Sequence, residues 1–261
     1  AYLPSSTSSA FSIDKESATT TYSGRRLVTT SGTSAAVELA ATVAEEADGS
    51  LGMGTATLQV TFTQVGGAVL CSAPVSGTVP GQGVASCTTS SLGLGSRAVV
   101  AKVTSAKYAG PVDVGAFAVA QTPAGSGAGG GRTGSDDFAF QAKPVRKAPP
   151  AGDALHVRRA GGLAFVNHTS TLGVLTASCS GGKTKVCTTV VEGSSAARWQ
   201  VDLATGTVTP LAAGSTLRAE ATDATEPDGT GADRYGVTLG APDSYALPST
   251  LLSAGNIRVT P

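Results

Sequence analysis

Apolar and polar residues alternate along most of this chain of 261 residues, with a period of two. The clearest cases are the segments 35–43 and 55–64. Their inward faces would carry Val37, Leu39, Ala41 and Val43 in the first segment and Leu58, Val60 and Phe62 in the second. A period of two predicts half-buried β-strands, and no segment has a convincing helical period. We therefore expect an all-β protein.

Shorter alternating segments predict further strands in both halves of the chain. In the first half they are 68–71, 84–88, 97–104 and 112–120. In the second half they are 136–143, 154–158, 162–167, 171–178, 186–191, 198–203, 216–222, 235–239 and 256–259. Strands spaced by roughly ten residues are typical of β-sandwiches. The prediction is two β-sandwich-like domains in tandem, of which the first is immunoglobulin-like.

A Gly-rich segment, AGSGAGGGRTG at 124–134, separates the two halves. Its glycines do not form a phosphate-binding loop, because no Gly-Lys-Ser/Thr sequence follows them and the next segment is a strand. We interpret the segment as a flexible linker. The predicted domains are then 1–122 and 135–261, joined by a linker at 123–134. The Pro-rich segment 143–150 (KPVRKAPP) is predicted to be a connector within the second domain.

Composition excludes some function classes. The chain has 18 basic and 18 acidic residues, and only 14% of its residues are charged. A balanced charge without a basic stripe argues against a nucleic-acid partner. No apolar run is long enough for a membrane span.

The four cysteines form two local groups, Cys71 with Cys87 and Cys179 with Cys187. Four cysteines allow three pairings, and the predicted linker favours the two local disulfides. The 15 residues enclosed by the first pair are rich in Gly and Pro, so that disulfide would clamp a loop between adjacent strands and contribute about 3 kcal/mol. Disulfides indicate an extracellular or cell-surface protein. The alternative is four reduced core thiols in a cytosolic protein, and the spacing does not favour zinc.

One acidic loop is the best candidate for a ligand site. The segment DATEPDGTGAD carries Asp223, Glu226, Asp228 and Asp233 among turn-forming residues. Several carboxylates on a flexible loop are suited to Ca²⁺, although the spacing is not that of an EF-hand. The alternative is a solvated loop in which Asp233 caps a turn or pairs with Arg234.

The catalytic inventory is small. The chain has two histidines, His156 and His168, and neither lies near a G-x-S-x-G sequence. Nothing marks a pair of carboxylates for glycoside hydrolysis. We therefore expect no enzymatic activity and no required cofactor. A sugar-stacking platform is an alternative use of the aromatic residues Tyr22, Tyr108, Trp199, Tyr235 and Tyr245, although the alternation of Trp199 with Val201 favours its burial.

Each half also resembles a known module. Residues 1–120 resemble bacterial immunoglobulin-like repeats of secreted and surface proteins. The resemblance is carried by TYSG at 21–24, VTTSG at 28–32, Asp48–Gly49 and the Cys71/Cys87 pair. Residues 135–261 resemble the post-COAP domain, a small C-terminal bacterial module, except for the Cys179–Cys187 hairpin. That resemblance is carried by FAFQAK at 138–143, ATD at 221–223, DRY at 233–235 and GNI at 255–257.

These resemblances imply an accessory extracellular module without transferable catalytic residues. We expect a non-catalytic structural or adhesive module of a secreted or cell-surface protein, one that contacts a protein or a glycan. A polysaccharide-binding module is the first alternative, and a fragment of a secreted hydrolase is the second.

Overall fold

The computed structural model describes residues 15–46, 58–77, 81–181, 186–194, 197–214, 216–224 and 233–261. Within these ranges the chain is all-β and contains no α-helix, which confirms the predicted fold class. None of this described part is a long apolar helix of the kind that crosses a membrane.

Eleven strands of the described chain precede residue 121. They are β1 (Glu16–Tyr22), β2 (Leu27–Thr29), β3 (Ser34–Ala35), β4 (Glu38–Glu45), β5 (Gln59–Gln64), β6 (Val69–Pro74), β7 (Gln82–Thr88), β8 (Leu92–Gly93), β9 (Gly95–Thr104), β10 (Tyr108–Ala109) and β11 (Asp113–Ala120).

Twelve strands follow in the rest of the described chain. They are β12 (Ser126–Thr133), β13 (Asp136–Val145), β14 (Ala148–Ala160), β15 (Leu163–Thr169), β16 (Thr171–Ser180), β17 (Val186–Ser194), β18 (Ala197–Asp202), β19 (Val208–Leu211), β20 (Thr216–Ala224), β21 (Arg234–Leu239), β22 (Tyr245–Leu251) and β23 (Ala254–Thr260).

The longer strands form four sheets. Sheet 1 has the order β10-β1-β4-β7, and sheet 2 has the order β2-β11-β9-β5-β6. Sheet 3 contains seven strands in the order β19-β18-β15-β14-β13-β12-β23, and sheet 4 has the order β16-β17-β20-β21-β22. Pairing is antiparallel except for β1 with β10 and β2 with β11. The short strands β3 and β8 pair with each other.

The four sheets are stacked in the order 1, 2, 3, 4, and an apolar core lies between each neighbouring pair. The first core lies between sheets 1 and 2 and includes Leu39, Phe62 and Phe117. The last lies between sheets 3 and 4 and includes Phe138 and Tyr235. The seven residues predicted to face inward in the segments 35–43 and 55–64 are all buried in the first core.

The middle core joins the two halves of the chain. In β9, Val99 and Ala101 face the first core, whereas Ala98 and Val100 face the middle core. Strand β13 divides in the same way, since Phe138 and Phe140 face the last core and Ala139 faces the middle one. Sheets 2 and 3 are therefore covered on both faces. We call the contact between them the seam.

The predicted flexible linker is wrong. Its residues Ser126–Thr133 form strand β12, which is almost wholly buried and pairs with both β13 and β23. The glycines are needed for space, because neighbouring groups approach the backbone closely. A Cβ at Gly130 would overlap the carbonyl oxygen of Arg26, and one at Gly129 would lie 2.6 Å from the ring of Phe140. The separate domain boundaries remain a prediction.

Two other sequence interpretations need correction. The Pro-rich segment 143–150 is not a connector, since β13 and β14 run through it and turn at Arg146–Lys147, where Lys147 has a φ of 60°. Strands β19 and β22 are not among the expected strands, and their sequences, VTPL and YALPSTL, contain proline. Both lie at sheet edges, where proline is tolerated because no ladder hydrogen bond is lost.

Both predicted disulfides are present, between Cys71 and Cys87 and between Cys179 and Cys187. The first does not clamp a loop within one sheet. It connects β6, at the edge of sheet 2, to β7, at the edge of sheet 1. It therefore closes one side of the first sandwich. The second joins directly opposed residues of the β16–β17 hairpin.

Candidate functional site at the seam

A cluster of five charged side chains lies at the seam. The two carboxylates belong to Asp113, at the start of β11, and Asp137, in β13. The three guanidinium groups belong to Arg26, just before β2, Arg132, near the end of β12, and Arg159, near the end of β14. We call these five residues the seam cluster. It draws on both halves of the chain, so it forms only when the halves are packed together.

Asp137 is the centre of the seam cluster. Its side chain is fully buried, and all three arginines contact it. Arg132 Nη2 lies 2.9 Å and Arg159 Nη2 lies 2.6 Å from Asp137 Oδ2, while Arg26 pairs with Oδ1. A buried carboxylate is tolerated when ion pairs and hydrogen bonds replace its hydration. Here three cations do so.

Asp113 is held by two arginines and two backbone groups. Its carboxylate accepts hydrogen bonds from Arg132 Nη2 at 2.9 Å and Arg159 Nη2 at 2.8 Å. The amides of Tyr22 and Val114 also donate to it, each at 2.8 Å. Burial alone would raise the pKa of Asp113, but the neighbouring guanidinium groups outweigh it and hold the pKa below its usual value.

The seam cluster borders a groove of about 690 Å³ lined by residues 22–27, Arg132 and residues 253–256. The lining contains Arg25, Arg26 and Arg132 and no acidic residue. Within the described chain, the Arg25 guanidinium, Arg132 Nη1 and the Asn256 side chain have no hydrogen-bond partner. The groove is therefore electropositive and has hydrogen-bond donors that nothing else in the described residues occupies.

A second polar contact crosses the seam. Asp153, on β14, accepts hydrogen bonds from the Ser96 amide at 2.8 Å and from the Ser96 hydroxyl at 3.0 Å. His168 Nε2 lies 3.1 Å from the same carboxylate. The serine hydroxyl donates to the aspartate and not to the histidine. This differs from a nucleophilic triad, in which the histidine lies between serine and acid.

The other histidine lies inside the second sandwich. His156 is fully buried, and its Nε2 lies 3.2 Å from Asp136 Oδ2. Tyr245 donates a hydrogen bond of 2.6 Å to the same oxygen. Burial raises the pKa of Asp136, but the contacts with His156 and Tyr245 outweigh this effect and lower it. The two histidines thus contact different aspartates, on opposite faces of sheet 3.

Two of the four predicted calcium ligands, Asp223 and Asp233, are described; Glu226 and Asp228 lie outside the described residues. Asp223 accepts a hydrogen bond from the Val259 amide at 2.9 Å. Asp233 accepts one from the Ile257 amide at 2.8 Å and one from the Ala224 amide at 3.1 Å. Both carboxylates therefore hold the outer edge of β23. No group of three or more metal-ligating side chains occurs in the described part of the chain, and calcium binding stays a prediction.

The pKa values of these two aspartates shift in the opposite direction from that of Asp113. Burial raises the pKa of Asp223, and the Val259 amide and the charge of Arg258 only partly offset this. Burial likewise raises the pKa of Asp233, and the neighbouring Asp223 carboxylate adds to the effect. No guanidinium hydrogen-bonds to either group within the described residues, so their charge is compensated mainly by amide dipoles.

The aromatic residues do not form a common exposed platform. Tyr22, Tyr108 and Tyr235 are buried. Trp199, for which the alternation with Val201 predicted burial, is only half-buried and packs against the middle core and Gly66. Aromatic stacking of a sugar is therefore not supported by these five residues.

Sequence reasoning missed the seam cluster. A signal was present, since Asp113 and Asp137 interrupt otherwise apolar alternating strands, and a charge at such a position needs a partner. The partners could not be identified, because Arg26 and Arg159 are separated from them by up to 111 residues of chain. Arg132 lay within the supposed linker.

No family model, curated protein or solved structure matches this chain. The immunoglobulin-like and post-COAP-like resemblances are therefore not supported by any of these comparisons.

Proposed function

We propose that this chain is a non-catalytic structural or adhesive module of a secreted or cell-surface protein, and that it holds two β-sandwiches in one fixed orientation. The observation that carries the proposal is the double coverage of sheets 2 and 3. A middle core that includes Val114, Leu155 and Val157 joins them. Burial of this apolar surface favours the packed arrangement by roughly 25 cal/mol for each Å² removed from water.

The two disulfides support the extracellular part of the proposal, because such bonds persist in oxidising compartments. The Cys71–Cys87 bond joins the edges of sheets 1 and 2, and the Cys179–Cys187 bond holds a hairpin of sheet 4. Crosslinks of this kind suit a module that must keep its shape outside the cell.

Differential scanning calorimetry of the intact chain tests the fixed orientation. We expect one transition whose calorimetric and van't Hoff enthalpies agree. Leu155→Ala should lower the whole transition without splitting it, since the side chain lies in the middle core. Leu217→Ala is the matched control, because it opens a cavity in the last core instead of the middle core. Two separate transitions would overturn the fixed orientation.

A panel of glycoside, ester and peptide substrates tests the absence of catalysis. We expect no turnover above that of the heat-unfolded chain. Sustained turnover by the purified native chain would overturn the non-catalytic part of the proposal, whatever the calorimetry shows.

A further inference from the structure

We propose that the groove beside the seam cluster binds the carboxylate of an acidic sugar in an extracellular polysaccharide. This rests on the proposed function, since it names the kind of partner that an adhesive module would contact. The binding groups would be the guanidiniums of Arg25 and Arg132 and the side-chain amide of Asn256, all of which line the groove.

The first argument is the charge of the seam cluster. Three guanidinium groups face two carboxylates, which leaves one positive charge in excess. The side chains of Arg26, Arg159 and Arg132 are only 6%, 16% and 20% exposed. An unbalanced charge with little access to water is costly. A third carboxylate would balance the cluster, and among the described residues no protein side chain supplies it.

The second argument is the set of unoccupied donors. Arg132 uses Nε and Nη2 to hold Asp113 and Asp137, which fixes the orientation of its guanidinium group. Its Nη1 has no partner within the described chain, and the group borders the groove. A guanidinium already held in place loses little side-chain entropy when it binds a ligand. Arg25, which is exposed at the same groove, adds a second positive charge.

The third argument concerns the class of ligand. A groove of about 690 Å³ falls within the size range of small-molecule sites, roughly 300–1,000 Å³. Besides the arginines, its polar lining includes Ser23, Ser253 and Asn256, which suit the hydroxyl groups of a sugar. Of the two large apolar residues in the lining, Tyr22 is buried and Leu27 is half-buried. The groove thus offers little to the side chains of an acidic peptide.

Isothermal titration calorimetry with trigalacturonate tests the proposal, with the neutral trisaccharide β-1,4-galactotriose as the matched ligand control. We expect the acidic trisaccharide to bind at least about tenfold more tightly, a difference of about 1.4 kcal/mol. Its affinity should fall as salt is raised from about 0.05 M to about 0.5 M, because screening weakens the attraction of the exposed Arg25.

Protein variants locate the binding groups. Arg25→Gln should weaken trigalacturonate binding about tenfold or more, and Asn256→Asp should weaken it further by placing a like charge beside the ligand. Neither residue belongs to the seam cluster, so both variants should fold. Arg146→Gln removes an exposed arginine outside the groove, and it should leave the affinity unchanged.

Each contrary result overturns a stated part. Equal binding of the neutral trisaccharide, or equal loss in Arg25→Gln and Arg146→Gln, would overturn the groove as a carboxylate site. Tighter binding of triglutamate would overturn the sugar. If acetate bound equally well at the same carboxylate concentration, the groove would be a site for any anion. That result would also overturn the proposal. A single calorimetric transition combined with any of these results would leave the proposed fixed orientation intact.

Discussion

Two pairs of buried aspartates are held in different ways. At the seam, Asp113 and Asp137 are surrounded by guanidinium groups contributed by both halves of the chain. At the outer edge of β23, Asp223 and Asp233 accept hydrogen bonds from the backbone amides of Val259 and Ile257. The seam pair joins two sheets through ion pairs. The edge pair covers the open side of a terminal strand, whose free amides would otherwise attract another chain.

The pKa directions follow from this difference. Guanidinium groups favour the ionised carboxylate strongly enough to outweigh burial, so the pKa of Asp113 is lowered. Amide dipoles do not outweigh burial at the edge pair, so the pKa values of Asp223 and Asp233 are raised, and at Asp233 the neighbouring Asp223 carboxylate adds to the rise. Burial depth alone therefore does not decide how a carboxylate affects stability. The kind of partner decides it.

The largest effect should come from the centre of the seam cluster. Asp137→Asn removes a charge shared by three arginines, and the remaining carboxylate, Asp113, pairs with only two of them. Breaking a buried ion pair in this way costs about 3–5 kcal/mol. Urea unfolding, with the slope compared as well as the midpoint, measures the loss.

Glu192→Gln is the control for that variant. Glu192 is about half exposed and lies 3.9 Å from Arg218, and surface pairs of this kind contribute at most about 1 kcal/mol. If Asp137→Asn cost no more than Glu192→Gln, the seam would not depend on its ions and the comparison would fail.

A smaller effect should come from the strand between the two regions. Gly130→Ala places a Cβ against the carbonyl of Arg26, at the seam. Because this neighbour is backbone, it cannot rotate away, and we expect a loss of about 1–3 kcal/mol or more. The unfolding free energy from urea titration measures it.

Gly173→Ala is the matched control within a strand. Its Cβ would have no neighbour closer than 4.0 Å, so the change should stay within about 0.5 kcal/mol. Equal losses in the two variants would mean that β12 is not held tightly between its neighbours.

The strands that alternate could be predicted, and the strand made of glycine could not. Strands that contain Leu39, Phe62 and Phe138 show a period of two, because their apolar side chains lie on a buried face and alternate with polar or small ones. In β12 the closely packed positions include Gly127, Gly129 and Gly131, which carry a hydrogen atom where other residues carry a side chain. Alternation of side chains cannot reveal a strand whose residues are mostly glycine and have no side chains. From the sequence alone, this segment therefore resembled a linker.

The candidate site was harder to predict than the fold. Cysteine pairs are close in sequence, so their pairing was within reach. The seam cluster instead depends on how sheet 2 packs on sheet 3, and short-range patterns carry no information about that packing. Asp223 and Asp233 were found as an acidic group, but their contact with β23 depends on a strand more than 20 residues further along the chain.

The smallest effect, and the sharpest test of the comparison, is its pH dependence. The pKa of folded Asp113 lies below the ordinary aspartate value of 3.8. Ionised Asp113 therefore contributes stability above pH values of about 3.8, and the contribution is lost as the pH falls through the folded pKa. The difference in unfolding free energy between the wild type and Asp113→Asn should shrink on acidification.

Asp233→Asn should show the opposite trend. The pKa of folded Asp233 lies above the ordinary value of 3.8, so the folded state binds its proton first. The wild type gains stability as the pH falls through that pKa, while the asparagine variant does not. The unfolding free energy of the wild type relative to that of Asp233→Asn should therefore increase on acidification. The increase should be about 1.4 kcal/mol for each tenfold difference in proton affinity between the folded and unfolded chains. Urea titrations from about pH 7 to about pH 2 measure both trends, because the Asp113 contribution is lost only below about pH 3.8. Parallel trends would show that the two regions hold their carboxylates alike.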